Sequence, residues 1–255
     1  MELAIILVVV GLLVAAILMA RDVIWVSQIH KQIGQLRAAD IAAGAFANKY
    51  SGLPGDLRAD IANASGFIAR SGADGHGDGD GVMEACMSPC TDFCTQLAAL
   101  GCEQTLFWSD LSKAGMVVGQ VPSAGDDYIT VNTPEDATDY FQATQLWKHG
   151  VIAPVTCNHP LSTWYNIMRI NYQVGSGPEV GYPIPIRDLQ TIDMKTDDGK
   201  ALSGNVRSFL LSAASDQNML CGVDLGLCAA GSGTYLTPFF PDRTCGAIIK
   251  MNGLS

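Results

Sequence analysis

The residues best suited to chemistry lie in "DGHGDGDG", where Asp74, Asp78 and Asp80 recur at short intervals between glycines. Such a stretch can turn several carboxylate oxygens toward one hard cation, which is part of the logic of a calcium loop. The full helix-loop-helix calcium pattern fails, because His76 stands where its first acid belongs and Met87 where its closing Glu belongs. Glu84 is the available substitute. Two readings stand side by side: a calcium site made of Asp74, Asp78, Asp80 and Glu84, or a solvated acidic loop. A second acidic pair, Asp197-Asp198 before Gly199, reads more readily as a turn and cap than as a metal site.

Cysteines are the other reactive set: Cys86, Cys90, Cys94, Cys102, Cys157, Cys221, Cys228 and Cys245. Their number is even and all follow a strongly apolar opening, which points to an oxidised, extracytoplasmic head with disulfides whose pairing sequence does not fix. A reduced chain with inert buried thiols is the alternative. A zinc site from Cys86, Cys90, Cys94 and Cys102 is poorly supported, since the spacing lacks the paired short knuckles of zinc ribbons. No haem-attachment motif occurs.

Catalytic constellations are missing from the sequence. There is no GxSxG, no HExxH and no phosphate-binding P-loop, and His30, His76, His149 and His159 are scattered. Cys157-Asn158-His159 carries no nucleophile signature. With 15 Lys+Arg against 25 Asp+Glu, a net charge of -10 and no basic cluster, nucleic acid is not expected as the main partner. The chain is expected not to be an enzyme and to need no certain cofactor, calcium being the one candidate.

These groups need a scaffold, and the first fifty residues set it. Leu3 to Ala20 carry no charge, behind a single acid, Glu2. Eighteen helical residues span roughly 27 Å, near the thickness of a bilayer core. A secretory signal would put bases where Glu2 stands, and a plain membrane anchor leaves Glu2 without a role. Beyond Arg21-Asp22 the pattern turns one-sided: Val26, Ile29, Ile33, Leu36, Ala39, Ala43, Phe46 and Tyr50 form one stripe, opposite His30, Lys31, Gln35, Arg37 and Asn48. No stop signal precedes Gly52 and Pro54. One helix of about fifty residues is therefore expected, with an apolar half over 1–25 and a half packed on a head over 26–52.

The head, 53–255, is expected to be α+β. Strands are read in "DYITVN" (127–132), "NIMRINYQV" (166–174) and "NVRSFLL" (205–211), and short helices in "FWSDLSKAG" and "PIRDLQTIDMKTD". The amphipathic stripe is expected to pack on an antiparallel sheet, with disulfide-stapled loops at 86–102 and 221–245. The aromatics of "TYLTPFFPDR" (234–243) suit either a contact surface or, for Phe239 and Phe240, the core.

The opening run Glu2-Leu3-Ala4-Ile5, with Gly11-Leu12-Leu13-Val14, resembles the N-terminal segment of type IV pilins and pseudopilins. The likeness continues in "KYSGLPGDL" (49–57), "DGHGDGDG" (74–81), "FWSDLSKAGMVVG" (107–119) and "TIDMKTDDGKALSGNVRS" (191–208), in order along about four fifths of the chain. The family pattern carries Phe first and its acid fifth. Here the acid is second, so three residues are missing from the start or the chain begins at Met1. A Pro common in filament-forming members after the apolar stretch is replaced by Arg21 and Asp22.

The resemblance implies a pilin-like fold and a structural subunit of a type IV pilus-like filament. Glu2 would pair with the terminal amine of a neighbouring subunit, since a lone acid among apolar helices costs several kcal/mol unless neutralised. Leu3, Ile5, Gly11, Ala15 and Ala16 would form the assembly surface, the small residues allowing close helix approach. The implied partners are identical subunits, the bacterial inner membrane before assembly, and an assembly machine that supplies the motor. The implied destination is an extracellular pilus or periplasmic pseudopilus. Alternatives are a pseudopilin or minor pilin of a secretion or DNA-uptake machine, and a monomeric, membrane-anchored calcium-dependent binding protein.

Overall fold

The computed structural model describes residues 2–84, 101–118, 125, 138–147, 151–155, 167–173, 180–181, 184–209, 233–237 and 244–251. The chain opens with α1, Glu2–Tyr50, a single helix of 49 residues. Its halves have different surroundings. Every residue from 3 to 24 is exposed, whereas Ile29, Ile33, Leu36, Ala39, Ala43 and Phe46 are buried against the head. This is the expected stripe, with Val26 and Tyr50 half-buried at its ends and Ala42 added to it.

Gln32 is also fully buried in this face. Its side-chain oxygen accepts the backbone N–H groups of Gln145 (2.8 Å) and Leu146 (3.2 Å), and its amide donates to Gln35 (3.0 Å). Gln35 in turn donates to the carbonyl of Ala143 at 2.7 Å. Two amide side chains thus tie the edge of the sheet to the helix and satisfy each other. An unpaired amide at this depth would cost about 1–3 kcal/mol.

The helix stops at Tyr50 because Ser51 turns left-handed (φ 58°), its N–H still bonding to Ala47 O at 2.9 Å. The turn falls on Ser51, one residue before the glycine that sequence favours for it. Phe46, Tyr50 and Phe67 then stack with ring centroids 4.6–5.4 Å apart, fixing the path of the outgoing chain.

The head is mixed helix and strand. Short α2 (Ala59–Ala64) is followed by α3 (Glu103–Lys113), then strands β1 (Gln142–Ala143), β2 (Val151–Val155), β3 (Ile167–Gln173), β4 (Val180–Gly181) and β5 (Ile184–Pro185). After α4 (Ile186–Thr196) come β6 (Val206–Phe209) and β7 (Thr244–Lys250). All pairings among the described strands are antiparallel. β1, β2, β3 and β7 lie in that order, β6 pairs with β7, and β4 and β5 add short pairings to β3 and β7. Pro154 pairs with Met168 beyond the two residues that β1 covers, so its missing N–H interrupts no bond on that side.

Strands β3 and β6 fall where alternation indicates, and α4 matches its expected span. Helix α3 begins four residues ahead of "FWSDLSKAG" and ends as expected before Gly115 (φ 69°). The strand read at 127–132 lies outside the described residues. Among the described helices, α1 packs against α3 and α4, while Val206 of β6 and Ile249 of β7 line a cleft together with Ile33 and Leu36. Trp108 joins α3 to the sheet by donating to Ile152 O at 2.7 Å.

Candidate functional site

The acidic glycine loop is organised by side chains outside it. Asp56, 1% exposed, accepts the N–H of Gly79 on one oxygen (2.7 Å) and that of Gly81 on the other (2.8 Å). Glu103, the first residue of α3 and also 1% exposed, accepts the N–H groups of Gly77 (2.7 Å) and Glu84 (2.8 Å). Four loop N–H groups therefore point at two buried carboxylates. Gly77 has φ 72°, and a Cβ there would lie 2.9 Å from Leu57 O and 2.2 Å from Arg70 Cδ, so only glycine fits this approach.

Beneath the loop, Arg70 and Asp110 form a fully buried pair. The guanidinium makes two bonds to the carboxylate, at 2.9 and 3.2 Å, and also donates to Gly55 O at 3.1 Å. Asp110 accepts Gly55 N–H at 2.9 Å. The turn after α1, the start of the loop and α3 are locked together at this one pair.

The electrostatics follow from burial. Loss of solvent pushes Asp56 up to about 7 against the pull of its two N–H donors, and the charges of Asp80 and Asp78 add to the rise. Glu103 is pushed up to about 9, first by burial and then by Asp56. Asp110 is raised by burial and pulled back by Arg70. The loop-side charges that raise the two acids are the carboxylates of Asp78 and Asp80, and a proton or a cation would offset them.

Asp56, Asp78 and Asp80 each present a carboxylate oxygen within 4.8 Å of the others. In kind this donor set fits a hard, oxygen-seeking cation. It differs from the set read from sequence: Asp78 and Asp80 are brought together, while Asp74 is exposed and Glu84 buried, both outside the group of three. Asp78 and Asp80 also accept the N–H groups of Asp80 (3.0 Å) and Val82 (2.7 Å), so each uses one oxygen to shape the loop.

Asp193, Asp197 and Asp198 form a second such group. Here the carboxylates hold a turn. Asp193 accepts Tyr235 Oη–H (2.8 Å) and Gly199 N–H (3.0 Å), Asp197 accepts Val206 N–H (2.9 Å), and Asp198 accepts Lys200 N–H (2.9 Å). Burial raises Asp193 to about 6. Tyr235, from the aromatic segment near the C-terminus, belongs to the core; Phe239 and Phe240 lie outside the described residues.

Of the cysteines, Cys102 and Cys245 are described, and both are disulfide-bonded. That removes Cys102 as a zinc thiolate. Cys86, Cys90, Cys94, Cys157, Cys221 and Cys228 lie outside the described residues, as do His149 and His159.

The assembly residues read from sequence sit on the uncovered half of α1. Leu3 is 78% exposed, Ile5 and Gly11 are exposed, and Ala15 and Ala16 share that surface. Apart from the adjoining residues and the backbone of its own helix, no described atom lies within 4 Å of where a Cβ on Gly11 would stand. Glu2 is the first residue of α1. By length and composition this half is able to cross a membrane, with a window of mean hydropathy 3.2 that is entirely uncovered by the head.

Sequence reading missed Asp56, Arg70, Glu103 and Asp110. An acid opening a helix is a legible sign for Glu103, but nothing local marks Arg70 or Asp110 as partners 40 residues apart. Comparison with known proteins returned no matching family model, curated protein or solved structure.

Proposed function

We propose that the chain is a structural subunit of a type IV pilus-like filament, with the head on the outside and the first half of α1 in the filament core. One observation carries this reading. A continuous helix leaves 22 consecutive residues, 3–24, uncovered and almost wholly apolar, while its other half is built into a head. That uncovered length is roughly 33 Å at 1.5 Å per residue. In water such a surface is untenable. A bilayer or a bundle of identical helices satisfies it, and passage from one to the other leaves it out of water in both states. Gly11, Ala15 and Ala16 would let neighbouring helices approach, and Glu2 would be neutralised by the terminal amine of another copy.

The test is negative-stain microscopy of the fraction sheared from expressing cells, for the wild-type chain and Glu2→Gln. Fibres from the wild type and few or none from Glu2→Gln, with an unchanged head, are expected. A chain found only as detergent-solubilised monomers refutes assembly. It would leave the second reading, a membrane-anchored calcium-dependent binding protein, which the convergence of Asp56, Asp78 and Asp80 favours.

A further inference from the structure

The point where α1 passes from uncovered to covered is built in an unusual way. Trp25 is the first half-buried residue of the helix. Its indole N–H donates to Asp188 at 2.8 Å, and the same carboxylate accepts the indole N–H of Trp147 at 3.0 Å. Asp188 is buried, with each oxygen occupied by an indole. Its neighbour Arg187 is exposed and lays its guanidinium over the Trp25 ring, 4.2 Å from the centroid. Arg21 and Asp22, four and three residues before Trp25, are both its neighbours on the helix surface and both exposed.

Tryptophan and arginine together are the side chains that settle at the boundary between hydrocarbon and headgroups. Here they stand immediately after a membrane-length apolar stretch, and one of the two cations comes from the head rather than from the helix. Among the described residues, Arg187 has the ring face and no carboxylate as its partner, because Asp188 is turned inward to the indoles. An exposed guanidinium has the forked N–H geometry that binds a phosphate bidentately.

We propose that Arg187, stacked on Trp25 and flanked by Arg21, binds the phosphate of an anionic phospholipid when α1 is in a bilayer, seating the head directly on the headgroups. This rests on the reading that α1 enters a membrane before it assembles. It adds a lipid partner of defined charge and a residue of the head that recognises it.

The experiment uses the full chain reconstituted in vesicles of phosphatidylcholine, alone or mixed with phosphatidylglycerol. Either lipid carries bromine high on its acyl chain as a quencher of tryptophan fluorescence. Trp25→Phe supplies the blank for the three other tryptophans. Trp25 is expected to report preferential association with phosphatidylglycerol, by about fivefold for one surface cation. Arg187→Gln should abolish most of that preference, Arg187→Lys should retain part of it, and Arg37→Gln, a cation lost elsewhere on α1, should leave it unchanged. A wild-type chain that associates equally with both lipids, or an Arg187→Gln chain that keeps the full preference, overturns the contact alone. A wild-type chain that does not float with the vesicles overturns the membrane reading, and the contact with it.

Discussion

Replacing Arg70 with Met tests whether the loop is held by a buried charge pair. The side chains of Arg70 and Asp110 are 0% and 1% exposed. Without the guanidinium, Asp110 keeps one donor, Gly55 N–H. It then has two options. Staying ionised and unpaired costs about 3–5 kcal/mol. Taking up a proton costs about 1.4 kcal/mol for every pH unit above its ordinary 3.8, which is about 4 kcal/mol at pH 7 and less than 2 kcal/mol at pH 5. Protonation therefore caps the damage, and the cap falls with pH. Arg70→Met should lose about 3–5 kcal/mol at pH 7 and recover roughly half of it at pH 5. The sign follows because the variant raises the folded pKa of Asp110 further, giving relative stability at low pH that is lost as pH rises. Equilibrium urea unfolding of the full chain in detergent measures both values, with buried Trp108, in the same helix as Asp110, as reporter. Arg58→Met is the control: its pair with Asp60 is 60% and 63% exposed and should be worth under about 1 kcal/mol at either pH. A loss at Arg70 as small as that at Arg58, or one that grows toward pH 5, refutes the reasoning.

Two further outcomes follow from the loop. Asp56 is held at about 7 in the folded head against an ordinary 3.8, so the folded state keeps a proton that the unfolded chain gives up above pH about 4. Stability should fall as pH rises from about 4 to 7, by up to about 1.4 kcal/mol per unit for this group, and Asp56→Asn should remove this share of the slope in urea midpoints while the share of Glu103, held at about 9, persists. If Asp56, Asp78 and Asp80 bind calcium, saturating Ca²⁺ should raise Tm, equivalent to about 2.7 kcal/mol at roughly a hundredfold excess over Kd. The rise should be larger at pH 8 than at pH 6, where the proton competes, and absent in Asp78→Ala. Identical melting with Ca²⁺ and with chelator removes calcium.

What was legible in the sequence is what repeats with a period. Helix α1 declares itself because both halves obey helical spacing, the first by unbroken apolarity and the second by the stripe from Val26 to Tyr50. Helix α4 and strand β3 are legible for the same reason. Strand β7, "TCGAIIK", was passed over: its central run has no polar alternation, because residues 245 to 248 are all buried and both faces of the strand are covered there. The site is another matter. The loop motif shows where oxygens gather, but Asp56, Glu103, Arg70 and Asp110 are assembled from positions 7 to 54 residues apart. No local rule marks a carboxylate that works by accepting N–H bonds from a distant loop.

That distribution of labour explains why a segment so rich in glycine and acid keeps a defined path. Residues 72–84 contribute few apolar side chains, Met83 being the buried one of size, so hydrophobic burial alone does not offset the conformational entropy of their glycines. Hydrogen bonds from loop N–H groups to Asp56 and Glu103 take its place, at the cost of burying two acids that would both be ionised in water. The loop is thereby made sensitive to whatever supplies positive charge. Protonation weakens the acids as acceptors for N–H groups, whereas a cation neutralises them and leaves the acceptors in place. If both ligands are available to the head, acid and cation should compete for Asp56 while acting differently on the loop. Amide hydrogen exchange at Gly79 and Gly81, slowed by the cation and not by acidification once intrinsic rates are corrected, would separate the two.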